Sequence, residues 1–184
     1  MRLNLGCGYR KIEGFINIDC DRKVNPDVVL DIMGGLPYED GSVDEVICEQ
    51  VLEHLLDYTF VIDEIHRVLK EGGIAYISVP HKDCTAAYGD PNHVRFFVMD
   101  TLLHYGDSRW YQPSNFYGHG MFDIIDGAIV KWKNPEEDAS VAGKYFTELI
   151  VKMKKVNKDY WKDKEKKSFR NTTYILNRGE DFQL

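Results

Sequence analysis

The chain has 184 residues, a length that suits one compact α/β domain with a core of its own. Nine Phe, eleven Tyr and three Trp give it more apolar bulk than a disordered chain carries. A net charge of −7 argues against a general nucleic-acid binder, whose affinity would rest on neutralising phosphates.

Arg2 to Leu5 reads as a short buried strand, and Gly6-Cys7-Gly8 follows at once. A second apolar run, Phe15 to Ile18, ends in Asp19. An apolar strand, a Gly-x-Gly turn and a second strand closing on an acid is the layout of a nucleotide-type cofactor site. Gly6 and Gly8 let the backbone turn sharply and approach a ligand, and Asp19 stands where a carboxylate can accept from both hydroxyls of a ribose. The alternative for Asp19 is a helix-capping acid. The connection from Gly6 to Gly14 is only nine residues, whereas a parallel crossover usually takes a dozen or more. An abbreviated first crossover is therefore expected, with one turn around Tyr9 to Glu13. The third glycine of the dinucleotide fingerprint is missing, which counts against a nicotinamide or flavin dinucleotide.

Asp27 to Ile32 is expected to be a third strand, broken by Gly34-Gly35-Leu36-Pro37, and Val43 to Cys48 a fourth. Glu49 to Leu56 reads as a short helix. The apolar spacing of Tyr58, Val61, Ile62, Ile65, Val68 and Leu69 predicts a longer one over Asp57 to Lys70, capped by Asp57 and stopped at Gly72-Gly73. His66 falls on its polar face as a surface histidine. Ile74 to Val79 is the fifth strand. Strands alternating with helices predict a mostly parallel sheet covered on both faces. Beyond Pro80 the chain becomes polar and turn-rich, with Met99 to Tyr105 helical. Phe122 to Trp132 reads as a sixth strand interrupted at Gly127, Ala139 to Lys167 as a helix, and Thr172 to Leu176 as a last strand, antiparallel and beside the sixth.

The ordered series Leu3-Asn4-Leu5-Gly6-Cys7-Gly8, Ile18-Asp19, Leu36-Pro37, Ser42-Val43-Asp44, Glu49-Gln50-Val51-Leu52-Glu53-His54 and Glu64 to Gly73 resembles the class I S-adenosylmethionine-dependent methyltransferases. Within the class it is most similar to the small group with the methyltransferase type 11 pattern. The resemblance covers residues 1 to about 80 and implies an α/β fold: a Rossmann-like doubly wound sheet, mostly parallel with one antiparallel strand. Residues 1–184 are expected to form a single domain, with 80–121 and 134–170 as acceptor-side or interface insertions.

The resemblance also implies S-adenosylmethionine as cofactor. Gly6, Cys7 and Gly8 would pass under its methionine tail and ribose, and Asp19 would bind the ribose diol. Asp31 and Ile32 would lie at the adenine edge, and Glu49 and Gln50 beside the methionine end. His54 belongs to the Leu-Glu-His signature. Asn4 stands where the family usually has an acid for the donor's ammonium; its amide oxygen can accept a hydrogen bond but brings no charge. Arg10 is either a grip for the donor's carboxylate or a solvated loop residue.

The implied activity is methyl transfer to an oxygen or nitrogen of a small-molecule or glycan acceptor. The alternatives are a non-catalytic partner subunit of the same fold and, from a different class, a dinucleotide-dependent oxidoreductase. Cys48-Glu49-Gln50-Val51 replaces the Asn-Pro-Pro-Tyr type of motif, which disfavours exocyclic amines of nucleic-acid bases. A hydroxyl or protonated amine must lose a proton, and a histidine near neutrality can take it. His93 is the first candidate base and His81 the second, with Asp90 to orient either; otherwise His93 packs its loop. No metal site is expected: His81, Cys84 and His93 lack a compact ligand spacing. With no strand-preceding segment, the acceptor's cover is expected from 80–121, from the segment between strands six and seven, or from a second subunit in a homo-oligomer. The lysines at 152–167 are either a solvated helix face or a contact for an anionic partner. The first strand starts without a leader-like stretch, no apolar run reaches spanning length, and cysteines 7, 20, 48 and 84 form no Cys-x-x-Cys pair, so a cytoplasmic protein is expected.

Overall fold

Three consecutive residues with no room for solvent start the sheet. In β1, Arg2–Leu5, the side chains of Leu3, Asn4 and Leu5 are all buried, because the strand is flanked by neighbours on both sides. The computed structural model describes residues 1–106, 122–133, 145–156 and 172–177. The other strands are β2 (Ile16–Asp19), β3 (Val28–Val29), β4 (Val43–Glu49), β5 (Leu69–Pro80), β6 (Phe122–Lys133), β7 (Tyr145–Lys155) and β8 (Thr172–Asn177). They form one sheet in the order β3-β2-β1-β4-β5-β7-β6-β8. Every neighbouring pair is parallel except β5–β7 and β6–β7, so β7 alone runs against the rest. The sheet is thus Rossmann-like and mostly parallel, with one antiparallel strand.

Residues 6 to 15 connect β1 to β2 with turns only and no helix. A buried pair of amides takes over what a helix would do for its own backbone. Asn4 Nδ2 donates to the Arg10 carbonyl at 3.0 Å and to Asn17 Oδ1 at 2.9 Å. Asn17 Oδ1 also accepts from the Ile12 N–H at 2.8 Å, and its Nδ2 donates to the Phe15 carbonyl at 3.2 Å and to Asp27 Oδ2 at 2.8 Å. Two side chains on adjacent strands therefore satisfy a loop too short to satisfy itself. Hydrogen bonds from the Asn17 backbone and side chain hold the Asp27 carboxyl below its usual range.

Helix α1, Tyr58–Val68, follows the spacing in the sequence: Val61, Ile62, Ile65 and Val68 are buried against the sheet. The Asp57 side chain caps it by accepting from the Phe60 N–H at 3.1 Å. The helix ends at Val68, before the glycine pair, because Leu69 turns extended and pairs with Val43. Gly72 and Gly73 serve a bulge instead: Gly72 takes φ +80°, and a Cβ at Gly73 would lie 2.9 Å from the Lys70 carbonyl oxygen. His66 is half-buried, its ring edge-on to Phe122 at 5.1 Å, and so is not a solvated surface group.

Arg67 closes the far end of α1. Its guanidinium donates to both Glu64 oxygens (2.7 and 2.8 Å), to the Leu36 and Tyr38 carbonyls (both 2.8 Å) and to Asp40 (2.7 Å). Glu64 also accepts from the Leu36 N–H at 2.8 Å. The pair fixes the 36–41 segment that feeds β4. Lys155 reaches across from β7 to the carbonyls of Leu69 (2.7 Å) and Arg67 (3.3 Å), where a cation meets the helix's negative end.

Several expectations are corrected. The third strand is two residues long, and the stretch expected to be helical through Lys167 contains β7. Thr147, Leu149, Val151 and Met153 are buried while Glu148, Ile150, Lys152 and Lys154 are less so, a period of two that belongs to a strand. Residues 139–144 and 157–167 lie outside the described residues, as do 107–121 and 134–138. The last strand does pair beside β6 but is parallel to it. The irregularity in β6 falls between Ile124 and Asp126, not at Gly127. The expected helix over 99–105 is α3, Met99–Leu103, and a short helix α2 spans Thr85–Gly89.

Two predictions arise here. Glu64→Gln should cost about 1–2 kcal/mol at pH 7 by urea unfolding, since the bidentate pair is only partly exposed. Arg67 first, with the Leu36 N–H, holds the Glu64 carboxyl below its ordinary 4.5. The contribution is therefore present above about pH 4.5 and lost as pH falls below it, so the two proteins should converge in acid. At Gly6 the backbone takes φ +63° and an added Cβ would lie 2.3 Å from Val51 Cγ2. Gly6→Ala should lower the thermal midpoint by more than the roughly 1–2 kcal/mol of the left-handed backbone alone.

Candidate active site at the carboxyl ends of the strands

The parallel strands β1, β2, β4 and β5 all end on one edge of the sheet, and the loops that leave them carry most of the polar side chains singled out in the sequence. Three clusters lie along this edge.

The first is the glycine turn. Cys7 is buried and its N–H donates to the Ile18 carbonyl at 2.9 Å, which ties the turn to β2. Gly6 is filled from below by Val51, whereas an added Cβ at Gly8, φ +49°, would meet nothing within 4 Å. The Gly8 backbone therefore lies beside open space. Asp19 Oδ2 accepts from the Gly8 N–H and Oδ1 from the Asp21 N–H, both at 2.8 Å. Each carboxylate oxygen retains a further lone pair. Asp19 is thus held rigid and still offers two adjacent acceptor positions, which is what a vicinal diol requires.

Asn4, by contrast, spends its amide N–H groups on Arg10 and Asn17 and acts in the frame of the crossover. Asp31 is exposed and caps a 3-10 turn, Ile32–Gly34, by accepting from the Met33 N–H at 3.0 Å. The Ile32 side chain packs into the core.

The second cluster follows β4. Glu49 is half-buried and paired with Arg10, which swings across from the first crossover. Burial pushes its carboxyl up, Arg10 pulls it down, and Glu148 on β7 pushes it up again. Gln50 adopts φ 54°, and this left-handed residue ends the strand where the sequence predicted a helix. Its backbone N–H donates to the Ser78 carbonyl at 2.8 Å, and its Nε2 donates to Ser78 Oγ and to Glu148 Oε1, both at 2.9 Å. Ser78 Oγ donates to the same Glu148 oxygen. Only a 3-10 turn, Leu52–His54, remains of the expected 49–56 helix.

The third cluster joins that turn to the segment after β5. The Glu53 carbonyl accepts from the N–H groups of Val94 (2.8 Å) and Arg95 (3.1 Å). His54 and His93 meet edge-to-face with centroids 4.7 Å apart. The His93 side chain is 8% exposed; its Nδ1 lies 3.2 Å from the Ala87 carbonyl oxygen and its Nε2 lies 3.8 Å from Asp90 Oδ2. A carbonyl can only accept, so Nδ1 carries a proton and Nε2 is the nitrogen left to meet a ligand. His81 is buried at the end of β5, and its Nδ1 accepts from the Asp83 N–H at 3.3 Å. Glu53 is 1% exposed, and its carboxyl is pushed up to about 7 by burial first and then by Glu148 and Asp90, its own backbone N–H opposing them.

The structure thus brings Glu49, Gln50, His54 and His93 to one edge with Asp19 and the glycine turn. Sequence reasoning missed Glu148, because β7 was read as helical, and it treated Glu53 only as part of a signature. The alternation of Thr147 to Met153 was the signal that could have placed Glu148 on a strand.

Residues 14–77 match the family model described as a methyltransferase domain. Over 97 residues, 48% of this chain and 38% of the other, the sequence is 45% identical to a probable S-adenosylmethionine-dependent methyltransferase of Mycolicibacterium smegmatis. Over 126 residues, 63% of this chain and 55% of the other, it is 27% identical to an uncharacterized protein of Methanocaldococcus jannaschii. The chain therefore spans about two fifths to about half the length of the curated relatives it matches. Among solved structures, a chain of the Haloferax volcanii complex between the Trm112 methyltransferase activator and a methyltransferase aligns with a TM-score of 0.62 at 13% identity, covering 85% of this chain and 82% of that one. A SAM-dependent methyltransferase from Archaeoglobus fulgidus aligns with a TM-score of 0.60 at 16% identity, covering 84% and 85%. At such identities the structural likeness is one of fold, and it coincides with the family match over β2 to β5. Over residues 14–77 the chain is thus similar to methyltransferase domains, and it shares its fold with solved SAM-dependent methyltransferases.

Proposed function

We propose that this protein binds S-adenosylmethionine across the carboxyl ends of β1, β2 and β4 and methylates an oxygen or nitrogen of a small-molecule or glycan acceptor. The observation that carries the reading is Asp19: a carboxylate fixed by two backbone N–H groups, with two acceptor positions left over, beside the open face of Gly8. The cofactor, when bound, supplies an electrophilic methyl group on a cationic sulfur.

In this reading Asp19 takes the ribose diol, and Gly6, Cys7 and Gly8 give the backbone its close approach. Arg10 and Glu49, paired across the cradle, are placed to take the carboxylate and ammonium of an amino-acid tail. Glu49 thereby supplies the charge that Asn4 lacks. Asp31 and the Ile32 backbone form the adenine edge, and Gln50 is set in place by Ser78 and Glu148. Acids at Glu49, Glu53 and Glu148 favour a cationic ligand at this edge and repel polyanions, which supports a small or glycan acceptor over nucleic acid. As the neutral imidazole, His93 can receive the acceptor's proton on Nε2 while donating Nδ1–H to Ala87. His81 is second, because its Nδ1 is occupied and its ring buried.

All four cysteines are free thiols, and among the described residues no helix is long and apolar enough to cross a membrane. Free thiols support a reducing, cytoplasmic setting.

Calorimetry with S-adenosylhomocysteine tests the donor site. Asp19→Ala should weaken binding by roughly 10- to 150-fold, the loss of about 1.5–3 kcal/mol of charge-assisted hydrogen bonding, in a variant with native circular dichroism. Unchanged affinity would remove Asp19 from the site. On a true acceptor, His93→Gln should slow turnover by about 10²–10⁴ with donor affinity retained, since glutamine hydrogen-bonds but takes no proton near neutrality. Full recovery of turnover with glutamine would make His93 structural, and donor binding without turnover on any acceptor would favour the partner-subunit alternative.

A further inference from the structure

Glu53 is the anomaly of this edge. Its side chain is buried, and neither carboxylate oxygen has a hydrogen-bond partner, a condition no other buried side-chain polar atom shares among the described residues. A buried carboxyl without a partner is costly and calls for an explanation.

Its neighbours are metal-ligating groups. One oxygen of Glu53 and one ring nitrogen each from His54 and His93 lie within 4.8 Å of one another. His93 directs its Nδ1–H at the Ala87 carbonyl, which leaves Nε2 as its ligand atom. Asp90 Oδ2 lies 3.8 Å from that nitrogen. The other Asp90 oxygen is already taken, accepting from the Asn92 N–H at 2.8 Å and from Asn92 Nδ2 at 3.0 Å. Among the described residues no lysine or arginine pairs with Glu53 or Asp90; the nearby Arg95 donates to the Leu56 carbonyl instead. A buried carboxyl with no hydrogen-bond partner, converging with two imidazole nitrogens, is a ligand set that a cation can bridge.

The arrangement is also braced. The double acceptance by the Glu53 carbonyl locks the 52–54 turn onto the 90–95 segment. The two imidazoles meet at 72°, edge to face, which lets two ring nitrogens aim at one point. A histidine whose other nitrogen donates to a backbone carbonyl is the usual condition of a metal ligand, with tautomer and orientation both fixed.

We propose that Glu53, His54 and His93, with Asp90 beside them as an outer carboxylate, bind a borderline first-row divalent ion of the zinc type. Two imidazoles and a carboxylate select such an ion over magnesium or calcium, and three protein ligands leave a position open for water or substrate. The grouping is not the His81, Cys84 and His93 set weighed from the sequence, since His81 Nδ1 is engaged by the Asp83 backbone. Binding of the ion stands independently of the methyl-transfer reading. Its role rests on that reading: an acceptor hydroxyl taking the open position would lose its proton more readily, with His93 then a ligand and not the base.

The test uses the full chain stripped with a chelator. Titration with Zn²⁺ should show one saturable equivalent at micromolar affinity or better and a rise in thermal midpoint, with no response to millimolar Mg²⁺. Co²⁺ in its place should give visible absorption of a low-coordinate nitrogen–oxygen site. Glu53→Gln, His54→Ala and His93→Ala should each weaken the site by roughly 10- to 100-fold or more. His54 is exposed, so its variant keeps the test open if the two buried changes disturb folding. Absence of a saturable equivalent, or binding unchanged in Glu53→Gln and His54→Ala, would overturn the proposal. S-adenosylhomocysteine titrated into the same samples separates the two readings: Zn²⁺ binding without it sustains the metal site while the donor reading fails, and its binding with no Zn²⁺ equivalent overturns the metal site alone.

Discussion

The buried amide pair of Asn4 and Asn17 is the constraint on which the cofactor edge depends. A parallel connection of ten residues has no room for a helix, and so no internal supply of backbone hydrogen bonds. Asn4 and Asn17 supply them from the strands themselves, reaching Arg10, Ile12 and Phe15. With the crossover pinned, Gly8 is held against Asp19, and Arg10 is carried across to Glu49. Asn4 is thus used for architecture, and Glu49 brings a negative charge at the end of the adjacent strand β4.

That charge belongs to a wider feature. Glu49, Glu53, Glu148 and Asp90 all reach the carboxyl edge of the sheet, and burial together with mutual repulsion pushes the first two upward from ordinary carboxylate behaviour. Such an edge is unfavourable until something positive occupies it. In the proposed reading a cationic sulfur and an ammonium answer that demand near Arg10 and Glu49, and a divalent ion answers it near Glu53 and His93. The Gln50–Ser78–Glu148 hydrogen bonds hold β4, β5 and the antiparallel β7 together at this edge.

Away from the site, rigidity comes from the end of α1. Arg67 and Glu64 bind the segment that enters β4, and Lys155 binds the helix's last carbonyls from β7. The site's loops therefore leave strands fixed at their opposite ends, which suits a reaction that demands placement more than covalent help.

The sequence alone determined several elements of the first half of the chain. The apolar residues of β1 and β2 mark two short strands, Asp57 and the spacing of Val61, Ile62, Ile65 and Val68 specify α1, and Gly6, Gly8 and Asp19 mark the glycine turn, because each of these depends on neighbours only a few residues away. The tertiary structure decided the rest. Whether Glu49 to Leu56 is a helix depends on Gln50, whose left-handed turn is held by Ser78 and Glu148 from strands far along the chain. Whether the glycines at 72 and 73 stop a helix or shape a bulge depends on Leu69 finding Val43. The lysines of Tyr145–Lys155 imitate a helical polar face, and only a place between β5 and β6 turns their alternation into a strand. Glu53 reads in the sequence as one acid of a signature. Its burial beside His54 and His93 arises when two distant loops close on each other, and a contact of that range leaves no periodicity in the chain.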